Sequence, residues 1–130
     1  MTNYLIAFND EWVPDQSAED LRTKSEASHA LLDEMRAAGV LVFADGGIDA
    51  STAICSVVND GGQPVFTDGP YVETEQHLGG FTVIDVPDDE TARSWAGRLA
   101  VALDWPQEVH RFPSGVEEII ETQSQGARAT

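Results

Sequence analysis

The chain has 130 residues, 42% of them hydrophobic, and is long enough for one domain whose core needs neither disulfides nor a metal. Its net charge of −16 disfavours nucleic acid and anionic membrane surfaces as direct partners. The single cysteine excludes an intrachain disulfide and agrees with a cytoplasmic location. We expect neither a signal peptide nor a membrane span, because no basic segment precedes the short apolar run at the start of the chain.

The chain begins with a predicted strand and a predicted helix. Residues 3–8, NYLIAF, are short, apolar and aromatic, which is typical of a strand. Ser17 is the expected N-cap of a helix that runs to about Ala38, with apolar residues at spacings of three and four. Gly39 is the expected stop of this helix, because glycine adopts the left-handed conformation that ends helices.

Three more predicted strands follow the first helix. Residues 39–45 and 52–58 are apolar runs of strand length. The sequence NDGGQP, residues 59–64, predicts a hairpin turn, since Asn, Asp and Gly tolerate positive φ. Residues 64–67 are the expected partner strand of this hairpin.

The last third of the chain repeats the strand–helix–strand order. Residues 81–86, FTVIDV, predict a strand, and the Gly79-Gly80 pair before it reads as a turn. Asp88 is the expected N-cap of a second helix, which buries a face of alanine, tryptophan and leucine. Residues 107–112 predict a final strand, and the polar tail from residue 121 to residue 130 is expected to be disordered.

The order of elements is β-α-β, a hairpin, then β-α-β. This order predicts a ferredoxin-like α+β fold with an inserted hairpin, in a single domain over residues 1–120. Several strands are apolar on both faces, whereas two helices can cover only one face of the sheet. We therefore expect a homodimer in which the uncovered faces of two sheets pack together.

The stretch TDGPYVETEQHLGGFTVIDV resembles the YCII-related family, in particular its DGPF subgroup. The matching residues are Asp68, Gly69, Pro70, Tyr71, Glu73, Thr74, Leu78, Gly79, Gly80, Phe81, Ile84 and Asp85. The sequence departs from the subgroup where Tyr71 replaces a phenylalanine, Glu75 a lysine and His77 a glutamine. A looser resemblance covers roughly residues 3–113.

The resemblance implies a ferredoxin-like fold and a dimeric α/β barrel. Such folds are similar to small isomerases and lyases that need no cofactor, such as muconolactone isomerase. A His–Asp active site has been proposed for the wider family, and DGPF members are associated with extracytoplasmic-function sigma factors. Fold resemblance alone does not transfer chemistry, so the residues must be weighed individually.

His29 and Asp68 are the two candidate catalytic residues. His29 lies beside the apolar stripe of the first helix, where it is either a packed edge residue or a group that faces a cleft. Histidine changes protonation near neutral pH, which suits general acid/base chemistry, and the resemblance implies a catalytic histidine on this helix. Asp68 opens a Gly-Pro turn, where it either organises the turn or presents a carboxylate to the histidine.

Tyr71, Glu73 and Asp85 are candidate binding residues. Asp85 shares a strand face with apolar residues, so it needs a partner such as Arg98 or Arg111 unless it lies at the strand end in water.

The remaining histidines are weaker candidates. His77 follows two glutamates in what reads as a solvated loop, and His110 alternates along the last strand as an ordinary edge residue.

The sequence contains no Walker loop, G-x-G-x-x-G, G-x-S-x-G or C-x-x-C motif, so we expect neither a cofactor nor a metal. Two hypotheses remain open. The first is a cofactor-independent enzyme of isomerase or lyase type that acts on a small organic molecule. The second is a non-catalytic dimeric module that binds a small molecule or regulates a partner. The first requires His29 and Asp68 to share a pocket, and the second predicts that they lie apart.

Overall fold

The computed structural model describes residues 1–70 and 76–129 of the chain. Its three helices within these residues are α1 (Ala18–Ala37), α2 (Asp89–Leu103) and α3 (Val116–Ala129). Its strands there are β1 (Thr2–Asn9), β2 (Leu41–Gly46), β3 (Cys55–Asp60), β4 (Gln63–Asp68), β5 (Leu78–Val86) and β6 (Glu108–Arg111). None of the helices in the described residues is long and apolar enough to cross a membrane.

Four of the strands form one sheet with the order β2-β5-β1-β6, and each neighbouring pair is antiparallel. Strands β3 and β4 form a separate two-stranded antiparallel sheet, which is the predicted hairpin. The mixture of helices with antiparallel strands confirms the predicted α+β class.

One face of the four-stranded sheet is covered by α1 and α2. Tyr4 and Ile6 of β1 and Ile84 of β5 are buried in a core that also contains Met35 of α1 and Leu99 of α2. The alternation along a strand places Leu5 and its cross-strand neighbour Val83 on the opposite face. Because these two residues are only partly buried, the second face of the sheet is open in a single chain.

The helix boundaries follow local signals that the sequence shows. The Ser17 hydroxyl accepts a hydrogen bond from the Asp20 amide at 3.0 Å, which confirms the predicted N-cap of α1. The Asp88 carboxylate accepts one from the Thr91 amide at 2.8 Å and caps α2 in the same way. Gly39 has a φ of +73° just beyond α1, as predicted for its stop.

The Gly79-Gly80 pair was predicted as a turn but lies inside β5, which begins at Leu78. The reason is close packing. A Cβ atom added to Gly80 would lie 2.8 Å from the Cα of Gly46 and 2.8 Å from the ring of Phe8. These glycines therefore let neighbouring chain segments approach closely, which is the second common reason for glycine in a strand.

The C-terminal segment, for which we predict disorder from residue 121, contains the last helix. In the structure α3 runs from Val116 to Ala129. Val116, Ile119 and Ile120 recur at helical spacing and remain exposed, so this helix buries little apolar surface. The polar composition that suggested disorder is equally compatible with a helix that lies in solvent.

Candidate functional site

A cavity of about 420 Å³ lies on the helix-covered side of the sheet. It is bordered by α1, by the end of β2, by the end of α2 and by the segment between α2 and β6. Its apolar wall consists of Phe8, Leu21, Leu32, Leu99 and Leu103. The volume falls within the range of sites for small molecules, and the mixed lining is typical of such sites.

Helix α1 supplies most of the polar lining of this cavity. Lys24, Ser25, Ser28 and His29 are within five residues of one another, and they all contact the cavity. Positions three and four apart lie on the same helix face, so one turn of α1 presents an ammonium, two hydroxyls and an imidazole together. The helix thus concentrates groups that can donate, accept and transfer protons.

His29 is held by a contact within α1. Its Nδ1 lies 3.2 Å from the Ser25 hydroxyl, one turn earlier in the helix. No partner for its Nε2 occurs among the residues that the structure describes. The imidazole therefore has one nitrogen oriented by the protein, which leaves the other available to a molecule in the cavity.

Trp105 forms the end wall of the cavity and is positioned by two contacts. Asp104 adopts the left-handed conformation, with φ of 56°, and so ends α2 directly before Trp105. The ring of Trp105 packs at 5.3 Å from that of Phe8. The ammonium of Lys24 lies 5.3 Å from the centre of the Trp105 ring, within the range of a cation–π contact.

Two buried polar atoms of the cavity wall have no hydrogen-bond partner among the described residues. They are the indole Nε1 of Trp105 and the side-chain Oε1 of Gln107. The other end of the Gln107 amide is fixed, because its Nε2 donates to the backbone carbonyl of Trp105 at 3.3 Å. Buried polar groups are nearly always paired, so these two atoms are candidates for a hydrogen bond with a water molecule or with a polar group of a ligand.

The structure does not bring Asp68 to this cavity. Asp68 is exposed at the end of β4, pairs with Cys55 across the hairpin, and is absent from the described lining residues. Gly69 beside it has a φ of +84°, and its amide donates to the carbonyl of Ile54 at 3.3 Å. These contacts agree with the interpretation of Asp68-Gly69-Pro70 as a turn.

Asp45 is the acidic residue among the described residues that line the cavity with His29. It is exposed near the end of β2, where its Oδ1 accepts a hydrogen bond from the Gly46 amide at 2.8 Å, and it pairs with Phe81 of β5. No motif marks Asp45 in the sequence, so it was not among the predicted site residues. The alignment of β2 beside β5 decides its position.

The other predicted binding residues lie elsewhere. Asp85 is on the open face of the sheet, opposite Asn3, and is not among the described lining residues. Neither arginine that we expected to pair with Asp85 does so: Arg98 pairs with Glu34, and Arg111 with Asp89. Tyr71 and Glu73 lie outside the described residues.

The remaining histidines occupy two different settings. His77 is partly buried and contacts Glu11 twice: its Nδ1 lies 2.6 Å from one carboxylate oxygen, and its amide donates to the other at 3.0 Å. The hydrogen bond from His77 lowers the pKa of Glu11. We expected a solvated loop histidine here, and its partner is 66 residues away in the chain. His110 lies beside Glu108 in the edge strand β6, as expected.

Among residues 1–70 and 76–129, no group of three or more histidine, cysteine, aspartate or glutamate side chains could hold a metal ion. Cys55 is a free, exposed cysteine of the hairpin.

The family model of the YCII-related domain matches residues 5–104, which include most of β1, all of α1 with its cavity residues, and all of α2. No curated protein matches the chain.

Proposed function

Since the chain belongs to the YCII-related family, we propose that it is a cofactor-independent enzyme that moves a proton on a small organic molecule in the cavity beside α1. The observation that supports this function is the position of His29. It lines a cavity of about 420 Å³ with one ring nitrogen oriented by Ser25. A general base must lie within reach of the substrate proton, and His29 meets this requirement for a molecule in the cavity.

Asp45 is our candidate for the role that was expected of Asp68, since it is the acidic residue among the described lining residues. Its carboxylate would stabilise the protonated imidazole or hold a second polar group of the substrate. The leucine and phenylalanine side chains of the cavity wall can pack against the apolar part of the substrate. An isomerase or a lyase needs only these elements, because its reaction consumes no redox equivalent.

The first experiment measures proton exchange. Candidate ligands are found by their effect on thermal stability, since a ligand that binds the folded state raises its melting temperature. Exchange of an activated C–H of each ligand for deuterium is then followed by NMR. We expect His29→Gln to slow this exchange by roughly 100-fold or more, the usual range for loss of a general acid or base.

His110→Gln is the matched control, because His110 is exposed on the edge strand, away from the cavity lining. Equal exchange rates in wild type and the His29 variant would contradict the proposed catalysis. Asp68→Asn should leave the exchange rate unchanged, whereas Asp45→Asn should lower it.

The second candidate function is a non-catalytic module that binds a small molecule. The separation of Asp68 from the cavity favours it, since the His–Asp pair expected for catalysis does not form there. Ligand binding that depends on His29 but gives no proton exchange with any ligand would favour this function. A regulatory role beside a sigma factor belongs to this second candidate and rests on the resemblance to the DGPF subgroup.

A sheet-to-sheet homodimer is part of the proposal. The open face carries Leu5 and Val83 across from each other and the rings of Phe43 and Phe81 at 5.9 Å, which is an apolar patch without a helix above it. The strand order β2-β5-β1-β6 supports the ferredoxin-like arrangement, and pairing of two such sheets would give the dimeric barrel. Sedimentation equilibrium should give the mass of two chains for wild type and of one chain for Val83→Arg. A wild-type mass of one chain contradicts the dimer.

The cytoplasmic location and membership of the DGPF subgroup stay predictions. The free thiol of Cys55 is compatible with a reducing compartment. Asp68-Gly69-Pro70 and Leu78-Gly79-Gly80 support the subgroup by their identity in the sequence.

A further inference from the structure

The cavity holds a cation in a strongly acidic chain. Lys24 is the only lysine, and the chain has 23 acidic against seven basic residues. Yet Lys24 forms no salt bridge with a carboxylate in the part of the chain that the structure describes. Its ammonium instead lies over the Trp105 ring at the cavity wall. A partly buried ammonium with an aromatic neighbour but no anion is set up to receive an anionic group from a ligand.

A second donor lies beside this ammonium. The Trp105 indole Nε1 is buried and has no acceptor among the described residues. The cation–π contact places Lys24 over the same ring that carries this N–H group. An ammonium and an indole N–H together can hold the two oxygens of one carboxylate. A single cation with one neutral donor matches a monoanion better than a phosphate dianion, which the net charge of −16 would repel more strongly.

The cavity wall also contains a hydrogen-bond acceptor. The Oε1 of Gln107 is buried and unpaired among the described residues, and the hydrogen bond from its Nε2 to the Trp105 carbonyl fixes which end of the amide is free. An oxygen acceptor needs a hydroxyl or N–H group on the ligand. The leucine and phenylalanine side chains of the wall favour an apolar ligand body.

The cavity volume limits the size of the ligand. A volume of about 420 Å³ lies in the lower half of the range of about 300–1,000 Å³ for small-molecule sites. This size suits a ligand with one six-membered ring and two substituents.

We propose that the cavity takes a small monocarboxylate with an aromatic or alicyclic ring and a hydroxyl group. Lys24 and the Trp105 indole N–H bind the carboxylate, and Gln107 accepts a hydrogen bond from the hydroxyl. The ring packs against the apolar wall near His29. The inference rests on the proposed function in that both use the same cavity, and it adds the substrate class.

The test uses the Trp105 indole as a reporter. The three tryptophans give three indole N–H signals in a ¹H–¹⁵N spectrum, and Trp105→Phe identifies the signal of Trp105 by its loss. The full chain is titrated with 2-, 3- and 4-hydroxybenzoate and with cis-2-hydroxycyclohexane carboxylate. We expect at least one of them to shift the Trp105 signal while those of Trp12 and Trp95 stay in place.

Matched ligands and variants separate the contributions of the carboxylate charge, the hydroxyl group and Lys24 to binding. For the hydroxybenzoate that binds best, the corresponding hydroxybenzyl alcohol replaces the carboxylate with a neutral CH2OH group, and benzoate lacks only the hydroxyl. The alcohol should bind about tenfold more weakly or worse, because a charge-assisted hydrogen bond is lost. Lys24→Gln should weaken binding of the carboxylate by a similar factor, and Lys24→Arg should retain most of it. Arg22→Gln, an exposed change on the same helix, is the control and should leave binding unchanged.

Three results would overturn the ligand class: no shift of Trp105 with any of the four carboxylates, equal binding of the neutral alcohol, or tighter binding of phenyl phosphate. Other combinations of results distinguish failure of the proposed catalysis from failure of the ligand class. Binding that depends on Lys24 without exchange that depends on His29 supports the ligand class and contradicts catalysis. Exchange on a neutral compound that depends on His29 but not on Lys24 supports catalysis and overturns the ligand class.

Discussion

The cavity beside α1 and the β3–β4 hairpin are built in opposite ways. None of the hairpin residues is buried, and its apolar side chains are exposed, with Phe66 at 65% and Ile54 just before it at 88%. The cavity instead joins residues of three strands, two helices and a connecting segment against the buried core. Both regions contain aromatic and acidic residues, so composition does not distinguish them.

The difference explains why the more conspicuous motif is not the better candidate site. The Asp68-Gly69-Pro70 turn follows the hairpin and places its carboxylate in water, where a charge interacts weakly with a partner. Around the cavity, by contrast, polar atoms such as the Trp105 Nε1 are buried beside an apolar wall. Burial strengthens each polar contact. Polar residues around the cavity are therefore better candidates for binding or catalysis, even though no sequence motif marks them.

The largest expected difference between the two regions comes from truncating a phenylalanine. Phe8→Ala removes a ring that packs against the core and against Trp105, and should lower the free energy of unfolding by about 2–4 kcal/mol. Phe66→Ala in the hairpin should change it by less than about 0.5 kcal/mol. Urea unfolding of both variants at low protein concentration measures the two values. Equal losses would mean that the hairpin is buried in an assembly and would break the comparison.

A smaller effect is expected for adding one methyl group. In Gly80→Ala the new Cβ meets the Gly46 backbone, which cannot move as a side chain would, so a loss of about 1–3 kcal/mol should follow. Gly97→Ala in α2 is the control, because no atom lies within 4 Å of its added Cβ. It should stabilise the protein by about 0.5–1 kcal/mol through helix propensity. Thermal unfolding of the two variants shows whether each substitution raises or lowers stability. A Gly80→Ala variant as stable as wild type would contradict the close packing of Gly80 against Gly46.

Two aspartates that look alike in the sequence should differ by a smaller amount. Asp88→Ala removes the carboxylate that accepts hydrogen bonds from the Thr91 amide and hydroxyl, and should cost about 1 kcal/mol. Asp68→Ala removes an exposed carboxylate and should cost less than about 0.5 kcal/mol. If urea unfolding shows the larger loss for Asp68, the turn stabilises the fold more than its contacts indicate.

The smallest expected effect concerns the contact between Glu11 and His77, which links the start of the chain to β5. The hydrogen bond from His77 lowers the pKa of Glu11 below its ordinary value of 4.5, so its carboxylate stabilises the fold above that pH. This contribution should disappear as the pH falls below 4.5 towards the lowered pKa. Melting temperatures of wild type, Glu11→Gln and His77→Gln should therefore differ near neutral pH and converge in acid. Plots of melting temperature against pH that stay parallel for the three proteins would contradict the coupling between Glu11 ionisation and stability.

Local signals in the sequence allowed correct prediction of the helices α1 and α2 and of the hairpin. Ser17, Asp88 and Gly39 act on backbone groups within a few residues, so their effect does not depend on the rest of the fold. His29 was selected for its place on α1 beside the apolar stripe, and helix geometry alone brings it next to Lys24, Ser25 and Ser28.

The tertiary structure decided which residues join His29 and which do not. Strand pairing placed Asp45 beside the cavity and Asp68 away from it, although both are exposed and lie at or near the end of a strand. The end of α2 placed Trp105 against Phe8, a residue nearly one hundred positions earlier. The sequence determined local conformation because that depends on near neighbours, whereas the cavity and its unpaired polar atoms depend on contacts between distant segments.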